Sequence, residues 1–154
     1  LKPTMDNVNV INSLLVAKSK SIAVSEVKHQ KQSEYQTLIK LVITTDKQTR
    51  SVSGTLFGGK PRVVEVKGIE IDAELSNHNL YISNEDKPGF IRDLSRVLAD
   101  NNINIATFHL GRKASGQEAI ALISTDSAID NSIVEHIKKI PLVIQAKYLK
   151  FDDQ

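Results

Sequence analysis

Six consecutive residues, Asn84-Glu85-Asp86-Lys87-Pro88-Gly89, are the best candidate in the chain for ligand chemistry. Pro88 has the fixed φ of a first helical turn, and Gly89 lets a ligand approach the backbone closely. The N–H groups of Gly89 and Phe90 point out of a helix start, whose partial positive charge suits a carboxylate. Asp86 beside them offers the opposite charge to an ammonium. Ammonium and carboxylate side by side are the signature of an α-amino acid, so a zwitterion seat is the functional reading. The simpler reading is that Asp86 caps the helix. On residue types alone the cap weighs more, because strand-to-helix loops commonly have this composition.

Other chemistries find little support. The chain of 154 residues has no cysteine, which excludes disulfides and thiolate catalysis and fits a reducing compartment. None of His29, His78, His109 and His136 lies three or four residues from another, so no helical metal pair is available. Gly54, Gly58, Gly59 and Lys60 imitate a phosphate loop, but Pro61 stands where that loop needs Ser or Thr. There is no Gly-x-Gly-x-x-Gly fingerprint for a dinucleotide and no nucleophile elbow. Formal net charge is +2 with both signs interspersed, so neither nucleic acid nor an anionic membrane is an expected partner. No apolar run approaches the ~20 residues of a membrane span. The start, Leu1-Lys2-Pro3-Thr4, lacks both a signal peptide and an initiator Met, and the chain is expected to be a piece of something longer. No catalytic pair is present, so the chain alone is expected to be non-catalytic and without a cofactor.

The elements that must position the loop follow from periodicity. A helix is predicted over 6–20, capped by Asp6, with Val8, Ile11 and Leu15 on one face. A short strand over 23–28 and a polar loop over 30–35 follow. The next predicted strands are 38–45, with Ile39, Leu41 and Ile43 on one face, and 50–56, with Val52 and Leu56 facing one way. Residues 57–61 break the second strand, and 63–66 and 69–73 form a hairpin across Lys67-Gly68. A polar joint at 76–79 then separates two domains, 1–76 and 77–154. The second reads as strand 80–84, helix 90–101, strand 103–110, strand 118–125, helix 129–140 and strand 143–149, with Pro141 ending the last helix. Ile91, Leu94, Val97 and Leu98 line one helix, and Ile129, Ile133, Ile137 and Ile140 the other. The fold class is α+β: a mixed αβ module, then a ferredoxin-like βαββαβ domain. The RNA-recognition fold has the same order, but it needs aromatic residues on its central strands, and only Tyr81 is offered.

Asp86-Lys87-Pro88-Gly89, then Ile103-Asn104-Ile105, then the hairpin and helix leading to Tyr148, resemble an ACT domain. Val24-Ser25-Glu26, Ser53-Gly54-Thr55-Leu56-Phe57-Gly58-Gly59 and Val64-Glu65-Val66-Lys67-Gly68 resemble the intervening, allosteric substrate-binding-like module of long-type D-3-phosphoglycerate dehydrogenases. Leu110-Gly111-Arg112 is similar to the same family. The resemblance covers nearly the whole chain in the expected order, which is that of the family's C-terminal regulatory region.

That resemblance implies a parent enzyme that oxidises 3-phosphoglycerate with NAD in the first step of L-serine synthesis, in the cytoplasm. It implies L-serine as effector at an interface between ACT domains paired edge to edge, as a homodimer or tetramer, with the catalytic domains of the same chain as further partners. Carried over, Asn84, Asp86, Pro88, Gly89 and Phe90 come from one subunit's loop and Asn104 from the facing strand of its partner. Asn104 can donate to a carboxylate and accept from an ammonium or hydroxyl. Asn84 departs from the pattern, since His or Tyr is frequent there in serine-responsive members. Lys60 and Arg62 are candidates for an anion site, Arg62 matching one member of a basic cluster. Glu70 and Glu74 stand where basic residues are expected and would repel a phosphate. Two alternatives stay open: a ligand-free dimerisation module of the same enzyme, and the β part of an iron–sulfur L-serine dehydratase.

Overall fold

The structure, a computed structural model, describes residues 8–28, 35 and 37–151. The chain divides into two compact units, Leu1–Gln32 and Ser33–Gln154.

In the first unit, α1 spans Ser13–Ser19, shorter than the 6–20 helix predicted. The predicted cap, Asp6, lies outside the described residues. The N-cap of α1 is Asn12, with no side-chain cap bond. In the turn ahead of it Asn9 Oδ1 accepts from the Ile11 and Asn12 amides, while Asn12 Oδ1 accepts from the Asn9 amide at 2.8 Å. This reciprocal pairing closes the turn that leads into the helix. Of the three residues predicted on one face, Val8 is buried, but Ile11 and Leu15 are 91% and 72% exposed. Residues 22–28 form no strand, contrary to expectation. Among the described residues no strand pairs with them, and a strand needs a ladder partner to satisfy its backbone.

The second unit holds two four-stranded antiparallel sheets. β1 (Leu38–Thr44), β2 (Thr49–Phe57), β3 (Lys60–Val66) and β4 (Ile69–Glu74) form a meander in that spatial order. The predicted break at 57–61 is a two-residue hairpin turn: Gly58 and Gly59 have φ of 57° and 81°, and Pro61 lies within β3 opposite Leu56. Lys67 and Gly68, at φ 56° and 73°, turn β3 into β4 as expected. Val52 and Leu56 do share a face of β2, but the buried side chains are Ser53 and Thr55. The Thr55 hydroxyl donates to the Thr37 carbonyl, which makes its burial tolerable.

β5 (His78–Glu85), α2 (Phe90–Asp100), β6 (Ile105–Arg112), β7 (Glu118–Thr125), α3 (Asn131–Lys138) and β8 (Val143–Lys150) complete the unit. The spatial order β6-β7-β5-β8 is the ferredoxin-like arrangement expected. Leu80, Ile82, Ala121, Ile123 and Ala146 on the sheet meet Phe90, Leu94, Leu98, Ile133 and Ile137 on the helices. The α2 stripe differs from expectation in one member: Ile91 is half exposed, and Phe90 takes its place in the core. All four isoleucines predicted for the second helix are buried, although α3 is shorter than 129–140. β6 starts two residues later than predicted because Asn102, at φ 56°, turns the chain after α2.

The far face of this second sheet is not bare. Ile120 and Leu122 of β7 pack against Ile69, Ile71 and Ala73 of β4. Gly111 in β6 permits that approach, since a Cβ there would run into the Glu70 carbonyl oxygen and lie 3.1 Å from the Ile69 and Ile71 side chains. β7 is therefore covered on both faces, by helices on one side and by β4 on the other.

Candidate amino-acid-binding site

The loop from β5 to α2 is fixed by two backbone bonds. The Glu85 amide donates to the Leu142 carbonyl at 2.9 Å, and the Asp86 amide to the Gln117 carbonyl at 2.8 Å. Gly89 ends the loop at φ 107°, a backbone conformation that L side chains rarely adopt, and α2 begins with no side-chain cap. Asp86 does not cap the helix, so the simpler reading of that residue fails. Its carboxylate instead accepts from Arg112 at the end of β6, with Arg112 Nη1 3.0 Å from Asp86 Oδ2. The Asp86 side chain is only 17% exposed, whereas that of Arg112 is 58% exposed.

Asn84, on β5 just before the loop, is 2% exposed. Its Nδ2 donates to the Glu85 carbonyl at 2.8 Å, but its Oδ1 is buried without a partner among the described residues. Such a group carries a desolvation cost that a ligand donor would relieve. Pro88 is exposed, whereas Phe90 turns into the core. The structure thus brings Asn84, Asp86, Pro88 and Gly89 together and leaves Phe90 its backbone alone for any ligand contact.

Asn104 lies elsewhere. It precedes β6 at the end of the sheet where Ile105 pairs with Thr125, whereas Asp86 follows β5 at the end where Arg112 pairs with Ala119. Seven residues of strand separate the two ends, roughly 23 Å. Asn104 Nδ2 donates to Asp126 Oδ2 at 2.6 Å. Within one chain, Asp86 and Asn104 cannot touch one small ligand.

Lys60 and Arg62, the anion candidates, each have a carboxylate from β4: Lys60 Nζ lies 2.8 Å from Glu74, and Arg62 Nε 2.6 Å from Asp72. Arg62 also stacks over Phe57. The Lys60 ammonium bound to Glu74 holds that carboxyl below its usual range. Two open hollows, about 190 and 500 Å³, are lined by the first sheet with Tyr35, Tyr81 and Leu110, and no predicted site residue lines either. Among the described residues no His, Asp and Glu cluster could hold a metal, and no helix is long and apolar enough to cross a membrane.

Sequence reasoning assigned no role to Arg112, Gln117 or Glu118. The Glu118 carboxylate accepts from Lys67 at the β3–β4 turn and from the Ser83 hydroxyl. Burial pushes the Glu118 carboxyl up, and the Lys67 and Ser83 bonds outweigh it, leaving a net lowering. These contacts depend on strand register, which residue types alone do not give.

Residues 78–142 match the ACT domain, and the βαββαβ unit that carries the Asp86 loop is accordingly an ACT domain. Residues 1–67 match the D-3-phosphoglycerate dehydrogenase intervening domain. In this order, over most of its length, the chain belongs to the D-3-phosphoglycerate dehydrogenase family as a regulatory region. It is 37% identical over 153 residues to a D-3-phosphoglycerate dehydrogenase of Bacillus subtilis (strain 168), covering 97% of this chain and 29% of that one. A D-3-phosphoglycerate dehydrogenase of Methanocaldococcus jannaschii is 32% identical, covering 87% of this chain and 25% of its own length. A probable L-serine dehydratase β chain of Bacillus subtilis is 31% identical over 107 residues, 69% of this chain and 49% of that one. The chain spans less than a third of the length of these dehydrogenases.

Proposed function

We propose that this chain is the L-serine-sensing and self-associating regulatory region of an NAD-dependent D-3-phosphoglycerate dehydrogenase, itself without catalysis. In that role residues 1–76 form the intervening module and 77–154 the ACT domain, working on catalytic domains of the same protein in the cytoplasm. The observation that carries the reading is the position of β6 at the edge of its sheet, with Asp86 at one end and Asn104 at the other. An edge strand offers unpaired backbone groups to a second strand. Two β6 strands paired antiparallel about a two-fold axis would set the start of each beside the end of the other. Asn104 of one copy then meets Asp86 of its partner, and a seat that is half-built in one chain is completed in two. Regulation further requires that L-serine prefer one state of the attached enzyme.

Calorimetric titration with L-serine, with D-serine and glycine as controls, tests the reading. Saturable heat from L-serine alone, lost in both Asp86→Ala and Asn104→Ala, is expected. A dimer that takes up no heat at millimolar L-serine would instead make the chain a ligand-free assembly module, with Asn84 as the position where the pocket was lost. The match to the dehydratase β chain favours a second reading, a subunit of that enzyme. The coding sequence upstream separates the two, because a dehydrogenase needs a Rossmann unit there.

A further inference from the structure

Resting on that amino-acid reading, we propose that Arg112 is the residue that holds the ligand's carboxylate, while Asp86, joined to it, holds the ammonium. Arg112 and Asp86 meet through a single N–H···O contact of 3.0 Å. A guanidinium carries five N–H donors in a planar fork, so the others remain for a second carboxylate in bidentate geometry. More than half of the Arg112 side chain is open to solvent, whereas Asp86 is mostly covered, so the cationic half of the couple is the half a ligand reaches first. An α-amino acid bears its two charges on one carbon, and a carboxylate touching a guanidinium offers two opposite charges at matching separation.

The start of α2 is the rival seat for the carboxylate, and an anionic side chain already stands beside it. Asp93, in the first turn, places its own carboxylate near Gly89, paired with Arg92 at 2.8 Å. The Arg92 guanidinium holds the Asp93 carboxyl below its usual range, so it is ionised at neutral pH. Arg92, the cation at that end, is thus already paired with Asp93, and the pair adds no net positive charge for a second carboxylate. The buried Asn84 Oδ1, two residues before Asp86, adds an acceptor that a ligand ammonium or hydroxyl can satisfy. The end of β6 thus supplies the cation, the β5 end and loop supply the acceptors, and only a ligand with both charges uses them all.

The test titrates the 154-residue chain, Arg112→Gln and Arg112→Lys with L-serine, with ethanolamine, which lacks the carboxylate, and with 3-hydroxypropionate, which lacks the ammonium. Thermal melts establish that each variant is folded. The expected result is L-serine binding by the parent chain that weakens about tenfold or more in Arg112→Gln, with partial recovery in Arg112→Lys. Ethanolamine should bind the parent chain and Arg112→Gln equally weakly. L-Serine affinity in Arg112→Gln within about twofold of the parent would overturn the assignment of Arg112 while leaving the amino-acid site intact. A parent chain that ignores L-serine altogether removes the amino-acid reading, and this role of Arg112 with it.

Discussion

The two sheets of the second unit are built from similar residues and reach opposite outcomes. β7 has an apolar layer on each face and is buried from Ala119 to Thr125. β1, richer still in Leu, Ile and Val, is exposed along its whole length, with Ile39 76% and Leu41 56% exposed. Composition does not separate the two; position does. β7 lies inside its sheet, between helices and β4, whereas β1 is an edge strand of a sheet whose burial is concentrated in β4. Hydrophobic stabilisation follows area removed from water, so the stability of this unit resides in the ACT domain and in the single row where the first sheet touches it.

Paired truncations would break that comparison most directly. Leu98→Ala, at a fully buried position of α2, should cost about 2–5 kcal/mol, while Leu41→Ala in β1 should stay within about 0.5 kcal/mol. Urea unfolding of the two variants checks this; equal losses would mean that β1 is covered in solution. Next in size is Gly111→Ala. Its new methyl group meets the β4 backbone, so about 1–3 kcal/mol is expected. Gly116→Ala is the control, with nothing within 4 Å and a φ of 78°, and should cost only about 1 kcal/mol. The same unfolding measurement, if it ranked the two glycines equally, would argue against close packing of β4 on β6.

The smallest effect is a pH dependence at the Lys67–Glu118 contact. The folded-state pKa of Glu118 is depressed below 4.5. Its contribution to stability is therefore present above the unfolded value and is lost as pH falls through the folded one. Glu65, held low first by its bond to Lys40, acts in the same direction. Thermal melts between neutral pH and the range below 4.5 should show an acid-side fall that is shallower in Lys67→Met. An unchanged slope would place the acid sensitivity at other carboxylates.

The ACT half was legible in the sequence because helix and strand periods alternate cleanly there and its apolar rows face one shared core. The strand expected over Glu118 to Thr125 is β7 to the residue, and Ile129, Ile133, Ile137 and Ile140 are all inside. In the first unit the helix was legible but not its start, because the turn that leads into α1 is held by side-chain-to-amide bonds between Asn9 and Asn12 that apolar spacing does not register. At the site, the loop from Asn84 to Gly89 was visible because Pro and Gly carry their backbone preferences with them. Arg112 was not, because its meeting with Asp86 depends on how far β6 runs beside β7, a pairing that residue types leave free.

The central place of β5 also sets a schedule. Both of its neighbours, β7 and β8, come later in the chain, so β5 cannot have a partner on either edge when it is first made. From Glu85 to Thr125, the end of its first neighbour β7, is 40 residues, about 2–8 s of synthesis at ordinary rates. During that interval Leu80 and Ile82, fully buried in the finished domain, have no sheet to join. The first sheet, a succession of hairpins between neighbours, has no such wait. The part of this unit that can fold first is the part with the least to gain from it, and the part that supplies the stability closes only when the last strand arrives.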